Sequence, residues 1–239
     1  TDDAIVNPTF TKIDNKQNPM WNRWAYLASG NAVGTWGTQF IPTHYVMGFY
    51  DGYKILDTAR ANVSFANGIN APKNQLGNLD NPNPPVGLAP STWTLRPRVN
   101  AISATNYRGV GIIKGPAAGQ PLMLAAEAQL LAAEAVLKGV MTGNAGTYFE
   151  NAIVASYLYL NKGEDDKVAA NIISGDVFLE TYKENNEESY LVNYSEATSN
   201  EERLEAIITQ KYIAMNFLFG HEAWNEFRRT GYPSIVNAN

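Results

Sequence analysis

Apolar positions recur with a helical period mainly in the second half of this chain. Leu122, Ala125, Ala126, Leu130, Ala133, Val136 and Leu137, with Gln129 among them, fall on one stripe. The segment is dense in alanine, the strongest helix former, and Pro121 stands where a first helical turn tolerates proline. Gly139 and the Thr142-Gly143-Asn144 run stop this helix. Phe149, Ile153, Ser156, Tyr157 and Leu160 mark a second helix, closed by Asn161-Lys162-Gly163. Helices joined by so short a turn pack antiparallel, and small residues let them approach closely, as in tetratricopeptide pairs. No second copy of the pair occurs at a fixed period.

Asp165 to Ser199 is polar and acidic, with a short helix expected near Asp176 to Glu184. Ser199 and Glu202 then match a capping box ahead of Leu204, Ile207, Ile208, Ile213, Met215 and Phe219. Gly220 is a candidate break, His221 to Arg229 continues as helix, and Gly231 with Pro233 gives the stop signal.

The chain before Gly115 has a different character. Asn67-Gly68, Ala71-Pro72, Asn81-Pro82, Pro84-Pro85, Ala89-Pro90 and Arg96-Pro97 form a nearly continuous run of turn chemistry. The expectation is a long irregular excursion, with a strand at Arg108 to Ile113 and a helix at Met47 to Ala61. The fold class that results is mainly α: tetratricopeptide-like helical pairs packed with a long, loop-rich irregular region. Residues 1–115 form the loop-rich, aromatic-rich part and residues 116–239 the helical part.

Composition narrows the chemistry. Of 239 residues, 45% are hydrophobic and 17% charged, which supplies a sizeable core. The net charge of −5 argues against nucleic acid, whose binding needs a basic field. It argues more weakly against direct binding to an anionic membrane surface. The absence of cysteine excludes a disulfide framework, a thiolate nucleophile and Cys-ligated metal. No apolar run approaches the roughly 20 residues that span a bilayer. The chain opens Thr1-Asp2-Asp3 with neither Met nor a leader-like segment. Two readings follow: a cytoplasmic protein with a trimmed start, or a piece cut from a longer exported chain.

Catalytic and metal motifs are weak. His44 and His221 match no metal-ligand spacing, and no nucleophile elbow or phosphate-binding loop appears. Gly109, Gly111 and Gly115 echo a dinucleotide fingerprint but lack its strand–turn–helix setting. Neither a metal nor a cofactor is expected. Glu127 and Glu134 share a helix face, and Glu134 also reaches Lys138 at i+4. Such a pair could serve glycoside hydrolysis, but on an Ala-rich helix a structural role is the stronger expectation. Around Trp224 to Arg229, Glu226 reaches Arg229 at i+3 while Trp224 and Phe227 share an apolar side. This patch is expected to knit the last helix onto the loop region through Arg–carboxylate bonds.

The best ligand candidates are aromatic: Trp24, Trp36 and Trp93, with Trp21 and Tyr45 behind them. Tyr26 and Phe40 stand nearby, interleaved with Asn22, Asn31, Thr35, Gln39 and Thr43. Flat aromatic faces suit the apolar faces of sugar rings, and amides and hydroxyls suit sugar hydroxyls. The competing reading is that these rings supply a core where aliphatic residues are scarce.

Several segments resemble one family. PLMLAAEAQLLAAEAVLKG (Pro121 to Gly139) and TYFENAIVASYLYL (Thr147 to Leu160) look like a helical pair of the SusD/RagB-like nutrient-binding lipoproteins. QKYIAMNFLFGHEAWNEFRRTGYP (Gln210 to Pro233) resembles that family's closing signature. NPMWNRWAY (Asn18 to Tyr26) and TQFIPT (Thr38 to Thr43) resemble a SusD-like subgroup. The resemblance implies an all-helical core with long loops and no catalysis. It implies a location at the cell outer membrane, exposed on the surface of Bacteroidetes-type bacteria through a lipid anchor carried outside this chain. It further implies an oligosaccharide ligand, in some relatives a peptide, and a SusC-like TonB-dependent transporter as partner. Members are longer than this chain, so the expectation is one SusD-like domain truncated at both ends. A helical scaffold that docks proteins is a further alternative, and it requires the loop-region Trp side chains to be buried.

Overall fold

A computed structural model describes residues 2–29, 42–65, 68–70, 110–170 and 172–235. Its architecture is mainly helical: among the described residues there are eight α-helices and two short strands. The strands, β1 (Ala4–Val6) and β2 (Gln120–Met123), pair in a two-stranded sheet. The chain divides into two compact units. One consists of Thr1–Ala4, Leu122–Leu158 and Ile173–Asn237; the other of Ile5–Pro121, Tyr159–Ile172 and Ala238–Asn239. The division in sequence falls after Pro121, and Tyr159–Ile172 returns to the loop-rich unit.

In the helical unit, α4 (Ala125–Leu137) lies most extensively along α7 (Asn200–Met215). Ala126 and Ala133 on α4 and Ala206 on α7 are all buried, and these small side chains permit the close approach. The alanine-rich stripe therefore finds its main partner in α7 rather than in its turn-linked neighbour α5 (Ala145–Leu160). α7 is buried on most of its circumference, including Ile207, Ile208, Ile213 and Met215. Its buried Gln210 donates to the Tyr182 hydroxyl at 3.0 Å and the Leu191 carbonyl at 2.8 Å. Tyr157 of α5 stacks on Phe178 of α6 (Gly175–Glu184) at 4.1 Å between centroids, and Phe178 stacks on Tyr182 at 5.6 Å. The capping box forms as the sequence indicates: Ser199 accepts from the Glu202 N–H, and the Glu202 carboxylate accepts from the Ser199 N–H. α7 ends before the Gly220 break, and α8 (Gly220–Thr230) ends at Gly231.

The loop-rich unit is organised by polar side chains that bond to backbone. Asn18 caps α1 (Pro19–Trp24), accepting from the Met20 and Trp21 N–H groups, and its amide donates to the Ala118 carbonyl at 2.9 Å. Thr43 caps the short α2 (His44–Met47), and Asp57 caps α3 (Thr58–Ser64). Asp57 also bonds the Arg60 guanidinium, and both side chains are fully buried. Lys114 donates to the carbonyls of Tyr159 at 2.5 Å and Lys162 at 2.8 Å. A cation thus sits at the C-terminal end of α5, where orphan carbonyls favour it. Trp21, Met47, Phe49, Tyr50, Ile55 and Phe65 contribute to the core beside these anchors.

Three local expectations are corrected. Pro121 lies in strand β2 instead of a first helical turn, and α4 starts at Ala125. Leu124 has no capping side chain; Asp3 serves instead, accepting from the Ala125 N–H at 2.9 Å. Met47 to Ala61 is not one helix. The chain turns through Gly48–Leu56, where the Lys54 and Ile55 N–H groups bond back to the Gly48 carbonyl, and restarts at the Asp57 cap. Val110 to Ile113 forms no strand, and Arg108 and Gly109 lie outside the described residues.

Candidate functional site

The two units present different surfaces. In the loop-rich unit, Trp24 ends α1 and Tyr45 lies in α2, and both are half-buried. Tyr45 meets Phe49 edge-on at 5.2 Å, and the Lys54 ammonium sits 4.7 Å from the Tyr45 ring centre. Tyr53 nearby is exposed, as are Asn22 and Arg23 on α1. Trp21 is 0% exposed and packs against the buried Tyr26 at 5.7 Å, so this indole serves the core. Trp36 and Trp93 lie outside the described residues. Trp24 and Tyr45 are thus neither core rings nor fully exposed, and amide and cationic groups stand close to them in sequence. Such surfaces can stack on a sugar ring or another flat apolar face. The loop-rich unit also encloses a cavity of about 10 Å³ beside Lys114 and Gln120. That volume suits one water molecule and is far too small for a sugar.

The helical unit carries a different constellation. Arg229 of α8 makes two parallel bonds to Glu134 of α4, at 2.6 and 2.8 Å. It also donates to Glu226, while Glu226 accepts from Lys211 of α7 at 2.7 Å. Lys138 pairs with Glu134, and Lys211 approaches Glu127 to 3.9 Å. Charges thus alternate along Lys138, Glu134, Arg229, Glu226, Lys211 and Glu127, joining three helices. The expected knitting of α8 is directed to α4 and α7, not to the loop region. Burial pushes the Glu134 carboxyl up, but the bonds from Arg229 and Lys138 outweigh it and hold the pKa below the usual value. Burial raises Glu127, against the attraction of Lys211 and with help from Glu222 and Glu226. A groove of about 320 Å³ lies against this lattice, lined by Leu131, Ala135, Val140 and the paired charges. Its polar groups already bond one another, so they carry a structural role.

Sequence reasoning found the two pairs within single helices, Glu134–Lys138 and Glu226–Arg229. It missed Lys211 beneath Glu226 and Lys54 beside Tyr45. Lys211 belongs to the quoted closing segment, and that was its only signal. Among the described residues no group of acidic and histidine side chains is arranged to hold a metal ion. None of their helices is long and apolar enough to cross a membrane.

A family model for SusD-like proteins, described as Susd and RagB outer membrane lipoprotein, matches residues 112–239. No curated protein matches the chain. A SusD homologue from Bacteroides fragilis NCTC 9343 superposes over 98% of this chain with a TM-score of 0.54 at 20% identity, and so shares the fold. A Bacteroidetes AC2a SusD-like protein covers 50% of the chain at 26% identity and a TM-score of 0.40. An outer membrane protein of Bacteroides vulgatus ATCC 8482, proposed to be involved in nutrient binding, covers 50% at 34% identity and a TM-score of 0.39. The chain spans 47%, 21% and 26% of these proteins respectively. By the match over its second half, the chain belongs to the SusD and RagB outer membrane lipoprotein family.

Proposed function

We propose that this chain is the ligand-gripping part of a surface nutrient-binding lipoprotein, that its ligand is an oligosaccharide, and that it delivers this ligand to a SusC-like TonB-dependent transporter. The observation that carries the reading is the contrast within α1. Trp21 is sunk in the core while Trp24, one turn further on, is only half-buried. Tyr45 adds a second partly open ring beside a lysine. Trp36 and Trp93 complete the proposed aromatic set from outside the described residues. Binding without bond-breaking fits the carboxylates: Glu134 is committed to Arg229 and Lys138, which leaves it poorly suited to act as a general acid.

Calorimetry of the chain against neutral oligosaccharides and against a peptide pool tests this reading. Saccharide binding with no release of reducing ends is the expected result. Binding confined to peptides overturns the choice of ligand, and turnover of a saccharide overturns the non-catalytic role.

A further inference from the structure

α8 is amphipathic in reverse. None of its residues is buried, and its polar side chains Glu226 and Arg229 are the ones that meet neighbouring helices. Trp224 stands two residues before Glu226 and so on the opposite side of the helix, where it is exposed and stacks on Phe227. Among the described residues, every hydrogen bond and ion pair from α8 to another helix runs through Glu226 or Arg229. Glu226 accepts from Lys211 of α7, and Arg229 reaches Glu134 of α4 with its two parallel bonds. α8 packs along α7 but not closely along α4. The groove of about 320 Å³ is lined by Leu131 and Ala135 of α4, by Val140 beyond it, and by Glu226 and Arg229 of α8. The Arg229 fork therefore spans the distance between these two helices. Both ends of α8 adjoin residues in the left-handed region: Phe217, in the link from α7, has φ 66, and Gly231 has φ 80.

We infer that Glu226 and Arg229 form a charge latch that makes α8 a separately opening element of the helical unit, released while α4 and α7 stay packed. The two interfaces differ in what opening exposes. Parting α8 from α4 and α7 returns Glu134, Lys211, Glu226 and Arg229 to water, whose solvation of the charges offsets much of the lost pairing. The α4–α7 pair instead holds fully buried aliphatic side chains, among them Leu130, Ile207 and Ile208, and opening it exposes apolar area. The latch also sets access to α4, because release of α8 widens the groove beside Leu131 and Ala135. This inference stands on the bonds of α8 and does not require a saccharide ligand.

Hydrogen exchange of the intact chain, followed by mass spectrometry in low urea, tests it. In the parent, α8 amides are expected to open with a shallow urea dependence and α7 amides with a steeper one, because opening α8 exposes little surface. A single dependence shared by both helices overturns the inference. Variants supply a second test. Arg229→Gln cuts the fork to Glu134 and is expected to speed exchange across α8 at least about tenfold, with α4 and α7 staying within about twofold of the parent. Arg228→Gln, on the exposed surface next to it, is the control and is expected to stay within about twofold in all three helices. Equal effects of the two substitutions on α8, or an acceleration spread evenly over α4, α7 and α8, overturns the latch.

Discussion

The helical unit and the loop-rich unit solve the same problem by different means. α4 and α7 satisfy their backbone groups internally, so their stability rests on buried aliphatic area and close approach. Their charged residues then pair across helix surfaces in the Lys138-to-Glu127 lattice. Among the described residues of the loop-rich unit, few backbone groups are met by regular structure. Buried polar side chains meet them one at a time: Asn18 toward Ala118, Lys114 toward Tyr159 and Lys162, Asp57 toward Arg60. The lesson is that irregular structure concentrates stability in a few side chains.

The strongest test of that contrast is the Asp57–Arg60 pair. Arg60→Met leaves a buried carboxylate without its cation and should cost about 3–5 kcal/mol in denaturant melts. Asp57→Asn combined with Arg60→Met should recover much of this loss, because Asn keeps the α3 cap and carries no charge. Next comes Lys114→Met, which strips the donor from two carbonyls at the end of α5 and should cost about 2–3 kcal/mol.

The helical unit should respond less to comparable changes. Glu134→Gln should cost about 1–2 kcal/mol at neutral pH, since Arg229 is 42% exposed and solvent screens the pair. The Glu134 pKa lies below its usual 4.5, so its contribution is present above that value and is lost as pH falls through the folded pKa. Glu127 has the opposite sign: its raised pKa favours the fold at low pH, and this contribution fades as pH rises through the folded value. A Tm–pH series on Glu134→Gln should therefore flatten the acid limb, whereas Glu127→Gln should slightly favour stability at neutral pH. The smallest destabilisation belongs to Ser199→Ala, about 1 kcal/mol for a lost cap. If it matches Lys114→Met, the proposed difference between the units collapses.

Much of the helical unit was legible from periodicity and caps. α5, α6, the Ser199–Glu202 box, the Gly220 break and the Gly231 stop all rest on residues close together in sequence. The α4 start was not legible, because its cap comes from Asp3, across most of the first half of the chain. Arg229 could be paired with Glu226 from spacing, but its stronger partnership with Glu134 spans 95 positions. The Gly111 signal was read as a faint nucleotide echo; its physical cause is the close pass of Val63. The aromatic candidates show the same limit. Both Trp21 and Trp24 stand among the ligand candidates in sequence, and only the packing around α1 shows Trp21 fully buried and Trp24 half-buried.

The proposed function assigns ligand binding to the loop-rich unit. Trp24→Ala and Trp224→Ala give the most direct test, since the Trp224 side of α8 is also open, with Trp224 59% exposed and stacked on Phe227 at 5.8 Å. Both variants should be titrated calorimetrically with the oligosaccharide that binds the parent chain. The account predicts that Trp24→Ala binds about tenfold more weakly or worse, at a nearly unchanged Tm, and that Trp224→Ala stays within about twofold of the parent. Loss of binding in Trp224→Ala with Trp24→Ala unaffected would contradict it.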